Sequence, residues 1–279
     1  MVNYTIKKIA YQSVLFLILS LLPYTVLSQT KRALLVGIDV YKPADPEIAV
    51  TRGGWTNLDG CVNDAKAIEE IIITRFGFEK KNISSVFDQD AKRKRIIDEL
   101  EKLIAVSQKG DIVFIYYAGH GSQVYNSLST EESGDMEDES IVPADLLDIR
   151  DKEMAILFNR FIDKGVILTL IFDSCHSGSI ARGNNLPENF KTRHINGSSV
   201  DAKDASNPQK PEDRGALIFS AAQPEQLAKE AKDDNGNPHG AFTVALIKAL
   251  NSSSAGEPAD VLFLRIKAIM QANGNTQEP

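Results

Sequence analysis

The sequence predicts an α/β domain with a mostly parallel central sheet flanked by helices, and three observations carry that reading. The stretches 32–39, 111–117 and 166–172 are apolar runs of strand length, nearly free of polar residues, as strands covered on both faces must be. Segments of helical period lie between them, and alternating strand and helix builds right-handed βαβ units on a parallel sheet. Two of the runs also stop abruptly in small and reactive residues, Ala118-Gly119-His120-Gly121 and Asp173-Ser174-Cys175-His176-Ser177-Gly178. The carboxyl edge of an open α/β sheet is where such folds gather their chemistry.

The elements follow in order. The run 32–39 is the first strand, and 41–58 reads as loop, broken by Pro43, Pro46 and Gly53-Gly54. Asp59 to Asp64 opens a helix over 65–75, apolar at Ala67, Ile68, Ile71 and Ile72 and ended by Gly77. A short strand, 83–87, precedes a second helix over 91–107, whose apolar face is Ile96, Ile97, Leu100, Leu103 and Ile104. The His120 strand is followed by an acidic loop over 131–139 and a third helix over 151–163, which leads into the Cys175 strand. The stretch 181–214 is polar and reads as a flexible linker between a large and a small part of one domain spanning 29–279. Order returns with a strand over 215–222 and helices over 240–251 and 259–272.

Composition narrows the function. With 279 residues, 43% of them hydrophobic and 25% charged, the chain can bury a substantial core. A formal charge of −7 disfavours nucleic acid as a partner, because phosphates call for a basic face. Residues 1–28 have the form of a secretory signal peptide: Lys7 and Lys8, an apolar run over 14–22, then Pro23 and a small residue at Ser28. An uncleaved anchor is the alternative, disfavoured because the run is short for a span. The expected product is secreted or periplasmic, a monomer with no membrane span once the signal is removed. An oxidising compartment permits a Cys61–Cys175 disulfide, but that bond would consume the best nucleophile in the chain.

If the strands ending at His120 and Cys175 lie side by side and parallel, a thiol and a base emerge at one edge, the minimum for nucleophilic cysteine catalysis. Cys175 is then the nucleophile and His120 the general base and acid. The backbone N–H groups of Gly121 and Cys175 are the natural oxyanion donors, since a glycine lets the main chain approach the reacting carbonyl. No third member of a triad is assignable. His176 should point away from the dyad, and His194 and His239 read as surface residues.

Four ordered motifs, Leu58-Asp59-Gly60-Cys61-Val62-Asn63-Asp64, Tyr117-Ala118-Gly119-His120-Gly121, Asp173-Ser174-Cys175-His176-Ser177-Gly178 and Ser220-Ala221-Ala222-Gln223, resemble those of the caspase-like cysteine peptidases, in the metacaspase and orthocaspase branch. The resemblance covers roughly residues 31–279. It implies a caspase-like three-layer sandwich and a cysteine endopeptidase acting on peptides or proteins with Arg or Lys before the cleaved bond. Asp64 and Asp173 would hold the basic side chain, with Cys61 lining the pocket; carboxylates suit a guanidinium in a partly desolvated site. The sequence around Cys175 differs from the Gln-Ala-Cys-x-Gly of animal caspases, which points away from cleavage after aspartate. Ala118 stands where the family often has Ser. No cofactor is required, although many metacaspases bind activating calcium through four aspartates. Asp135 and Asp151 match two of those positions, while Lys152 and Arg182, which cannot ligate calcium, stand at the others.

The basic residues Arg182, Lys191, Arg193, Lys203, Lys210 and Arg214 make the linker a candidate for self-cleavage. Family members usually continue with a further strand beyond 279, so an edge element is expected to be missing. Two competing functions stay open: a catalytically idle scaffold or binding module, and an amidase or transpeptidase using the same dyad.

Overall fold

The structure, a computed structural model, describes residues 29–52, 55–130, 136–175, 191–223, 226–254 and 256–279. Its centre is a five-stranded sheet made of β1 (Lys31–Gly37), β2 (Ile83–Phe87), β3 (Ile112–Ala118), β7 (Ile167–Asp173) and β8 (Leu217–Ser220), in the spatial order β2-β1-β3-β7-β8. Every pairing in it is parallel. The helices that cover it are α2 (Cys61–Thr74), α3 (Arg93–Val106), α4 (Asp151–Asp163), α5 (Ala241–Ser252) and α6 (Ala259–Ala272). This is the sandwich the sequence predicts, and the reason is visible in β1 and β3: Ala33, Leu34, Leu35, Val113, Tyr116 and Ala118 are all fully buried.

Outside the main sheet are a three-stranded antiparallel sheet, β4 (Gly121–Tyr125), β5 (Glu137–Ile141) and β6 (Ile149–Arg150), and a hairpin, β9 (Glu230–Lys232) with β10 (Pro238–Gly240). A one-and-a-half-turn helix, α1 (Pro46–Thr51), occupies part of the expected loop, started by Asp45, whose side chain accepts the N–H of Glu47 at 2.8 Å. Helix α2 begins four residues before its apolar period would place it. The cause is tertiary: the Asp39 carboxylate at the end of β1 accepts the N–H groups of Cys61 and Val62, at 2.7 and 3.3 Å.

The register of the sheet positions the reactive residues. Ala118 is paired with Asp173, and His120 and Cys175 each lie two residues further on. Both therefore leave the sheet at the same carboxyl edge. Gly121 follows directly, and its conformational role is one of space: a Cβ there would sit 1.7 Å from the carbonyl oxygen of Cys175.

The polar stretch beyond the Cys175 strand departs from the expected surface linker. Residues 191–198 run in the cleft between β4 and the segment 228–230, with parallel bridges Gly121–His194 and Val124–Ser198 and an antiparallel bridge Thr192–Lys229. Arg193, His194 and Ile195 are buried. His239 is also buried, so neither it nor His194 is the surface residue that its polar surroundings suggest. His176 and Arg182 lie outside the described residues, as do Asp135 and residues 1–28, the stretch expected to be a signal peptide.

Candidate active site

Cys175 and His120 are both fully buried at the mouth of the sheet. The His120 ring has a fixed tautomer. Its Nε2 lies 2.7 Å from the carbonyl oxygen of Thr56, which can only accept, so the proton is on Nε2. Nδ1 is then the free lone pair, buried and without a hydrogen-bond partner. Tyr41 stacks obliquely on the imidazole, with centroids 4.6 Å apart, and its hydroxyl accepts the His120 N–H at 2.7 Å. Tyr117 donates to the His120 carbonyl at 2.7 Å. Neither Thr56 nor Tyr41 was identifiable in advance, because both come from the loop after β1 and reach the histidine only through the fold.

Burial sets the protonation of both groups. Desolvation takes the imidazole down to about 3 and pushes the Cys175 thiol up to about 12. Both are neutral at pH 7, and the sulfur is engaged by Ala228, whose N–H lies 2.7 Å from Sγ. Cys61 and Cys175 are free thiols rather than a disulfide.

The N–H groups of Gly121 and Cys175 point at a single atom. They donate to the carbonyl oxygen of Arg193, at 2.9 and 3.1 Å. The side chain of the same arginine enters a buried pocket: Nη2 is 2.6 Å from Oδ2 of Asp64, and Nη1 is 3.0 Å from Oδ1 of Asp173, all three side chains fully buried. The Arg193 N–H donates to the Ala228 carbonyl at 3.0 Å, and the Glu230 N–H to Lys191 at 3.5 Å. The main chain around Arg193 is thus held as an antiparallel strand upstream and a parallel strand downstream. The sequence reading brings Asp64, Asp173, Gly121 and Cys175 to one site; the arginine that joins them was one of six basic residues in a linker and carried no distinguishing local signal.

Each carboxylate is oriented by further groups. Thr243, at the start of α5, donates its hydroxyl and N–H to Oδ2 of Asp173, at 2.5 and 3.2 Å. Burial raises the Asp173 carboxyl, and the Arg193 guanidinium opposes that rise. Asp64 accepts the Gly240 N–H at 2.9 Å and faces Nδ1 of His239 at 2.8 Å. That contact raises the imidazole of His239. Gly240 is needed for room, since a Cβ there would come within 2.6 Å of the Arg193 guanidinium and closer still to Asp173. Cys61 lies at the pocket margin, where the Cys61 thiol, an Asp39 oxygen and a Glu230 oxygen come within 4.8 Å of one another.

Comparison with known proteins decides the family. The metacaspase, peptidase C14 domain family matches residues 31–182. Metacaspase-8 of Arabidopsis thaliana is 36% identical over 155 residues, covering 54% of this chain and 38% of that protein. Metacaspase-1A of Neurospora crassa is 30% identical over 181 residues, 62% of this chain and 36% of the relative. The chain belongs to the metacaspase family. A crystal structure of a Geobacter sulfurreducens protein shares the fold, with a TM-score of 0.62, 23% identity and coverage of 86% of this chain and 89% of that one. The aligned stretch spans well under half the length of the curated metacaspases.

Of the four positions implied for calcium in such a metacaspase, only Asp151 and Lys152 lie among the described residues. Asp151 is the first residue of α4 and accepts the Lys152 N–H at 2.8 Å. The buried acid nearby is Asp138, and its counter-ions are built in: Lys152 Nζ at 2.8 Å, itself 3% exposed, and Arg150 at 3.0 Å. A buried carboxylate already paired with an ammonium and a guanidinium does not fit a calcium site. The Asp39, Cys61 and Glu230 cluster is no better suited. Asp39 is engaged by the α2 N-terminus, Glu230 accepts the N–H groups of Asp59 and Gly60 at 3.0 Å each, and burial pushes the Cys61 thiol up. Among the described residues no helix is long and apolar enough to cross a membrane.

Proposed function

We propose that this metacaspase is a cysteine endopeptidase that cleaves after Arg or Lys, and that its first substrate is its own Arg193–His194 bond. One observation carries the reading: a single arginine has its guanidinium between two buried aspartates while its carbonyl oxygen accepts two main-chain N–H groups. That is the posture of a residue about to be attacked. The Cys175 thiol passes its proton to Nδ1 of His120, and the sulfur adds to the Arg193 carbonyl carbon. Oxygen takes up the negative charge between the Gly121 and Cys175 N–H groups, donors already in place for it. His120 then protonates the departing amine of His194, and water releases the acyl group by the reverse proton path. The Thr56 carbonyl fills the place of a third member by holding the tautomer.

Before the cut the chain is its own inhibitor. Arg193 fills the pocket and excludes water, and the neutral, buried dyad is poorly activated. Departure of the upstream strand admits water, which moves the imidazole up and the thiol down toward their ordinary values. We further propose that no metal is needed, since Lys152 and Arg150 already neutralise Asp138, and that residues 1–28 direct export.

Intact mass of wild-type protein against Cys175→Ala, together with turnover of an Arg-coumarin amide, tests the reading. Expected are two fragments meeting at Arg193–His194 in the wild type only, and hydrolysis that EDTA leaves unchanged. Identical masses and no turnover would leave the idle scaffold as the function.

A further inference from the structure

We infer that the cleft downstream of the scissile bond is a second specificity site, taking an apolar residue two positions after the basic one, so that preferred substrates read Arg-Xaa-(Ile, Val or Leu). The inference rests on the reading of residues 191–198 as a bound substrate strand. Three observations support it. The first is burial by position: within a polar stretch Ile195 is 1% exposed and part of the main core, whereas Val200, five residues on, is 69% exposed. General collapse of the linker would have buried both. The second is main-chain register. The Ile195 N–H donates to the Gly121 carbonyl at 3.1 Å, directly after the Gly121 N–H has engaged Arg193 at 2.9 Å. A substrate held by the oxyanion donor is therefore held through the same glycine at its second downstream residue, as when a peptide adds a strand to a sheet edge. The third is a dedicated polar group: the fully buried Ser122 hydroxyl lies 3.1 Å from the Ile195 carbonyl and 3.2 Å from that of Asn196. Arg52, ion-paired to Asp148 at 2.6 Å, stands behind that serine with Nη2 3.3 Å from its oxygen.

Burial by position then assigns the subsites. His194 and Ile195 are covered, Asn196 and Gly197 are exposed, and the Ser198 N–H rejoins β4 at the Gln123 carbonyl, 2.9 Å away. Chemical discrimination falls on the second residue, where a polar or charged side chain would lose its water without gaining a partner.

Quenched peptides Lys-Thr-Arg-His-Xaa-Asn-Gly-Ser, with Xaa as Ile, Val, Gly, Asp or Lys, test this on the processed full chain, normalised to acetyl-Lys-Thr-Arg-coumarin amide, which has no downstream residues. The expected result is a kcat/KM for Ile and Val at least about tenfold above that for Gly, Asp or Lys, the ratio that burying one aliphatic side chain provides. Equal values across the series, or cleavage of the coumarin amide alone, would overturn the inference and leave the Arg-specific peptidase standing. No turnover of the coumarin amide would overturn the peptidase reading and this inference with it.

Discussion

Arg193 is the residue on which the site closes. Two carboxylates shut away from water are costly unless a cation sits between them, and the guanidinium, with one nitrogen on each, supplies it. Arg193→Ala is expected to abolish the cut and lower the melting temperature by several degrees. Benzamidine, a guanidinium analogue, should recover part of that loss in the variant and shift the wild type little; thermal scans with and without it check this. Asp64→Asn, which keeps the shape and removes the charge, should lower kcat/KM on Arg peptides by about 10- to 100-fold, the range of a charge-assisted hydrogen bond. Gly240→Ala puts a methyl group into the guanidinium's space and should block turnover of Arg substrates more than labelling of Cys175 by a small alkylating agent.

At the scale of elements, the β5–β6 hairpin and the start of α4 are held by a buried ionic cluster. Asp138 is shared by Lys152, Arg150 and the Asn126 side chain, the last at 2.9 Å. Removing the ammonium leaves a buried carboxylate short of a partner, so Lys152→Met should destabilise the fold by about 3 kcal/mol in denaturant melts. Added calcium should not restore the loss. Restoration would mean that a metal can take the lysine's place. The N-terminus of α2 depends similarly on Asp39, and Asp39→Ala should cost about 1 kcal/mol through its lost cap.

For the whole molecule, burial of a neutral histidine links stability to pH. The folded imidazole of His120 is held at about 3, against the 6.5 of an unconstrained histidine. Below pH 6.5 the unfolded chain takes up a proton that the folded chain refuses, so acidification favours unfolding, by up to about tenfold in the equilibrium constant per pH unit. His239 and Asp173 act in the opposite sense: the raised imidazole adds stability present below 6.5 and lost at higher pH, and the Asp173 carboxyl, raised by burial to about 6, takes up a proton in the folded chain before the unfolded one does, so the His120 share is read as a difference between variants. Between pH 6.5 and 5, Cys175→Ala should lose more stability, or gain less, per pH unit than His120→Gln in the same background, by up to about tenfold in the unfolding constant; equal slopes would remove the histidine from the account.

What could be read directly was what depends on local pattern. Buried parallel strands announce themselves as apolar runs, α4 and α6 span the residues their periodicity marks, and small reactive residues at two strand ends mark the edge where His120 and Cys175 leave the sheet, because each signal is complete within a dozen residues. The metacaspase motifs added the pocket acids. What required the tertiary structure were meetings between residues far apart in the chain. Asp39 starting α2, Thr56 fixing a tautomer, Lys152 neutralising Asp138 and Arg193 joining Asp64 and Asp173 to the Gly121 and Cys175 N–H groups leave no periodicity behind, since a single hydrogen bond or ion pair constrains one residue rather than a repeating face. The sequence by itself determined which chemistry was present at the sheet's edge; packing decided that the site is filled by the chain's own arginine, because only burial distinguishes Arg193 from the basic residues around it.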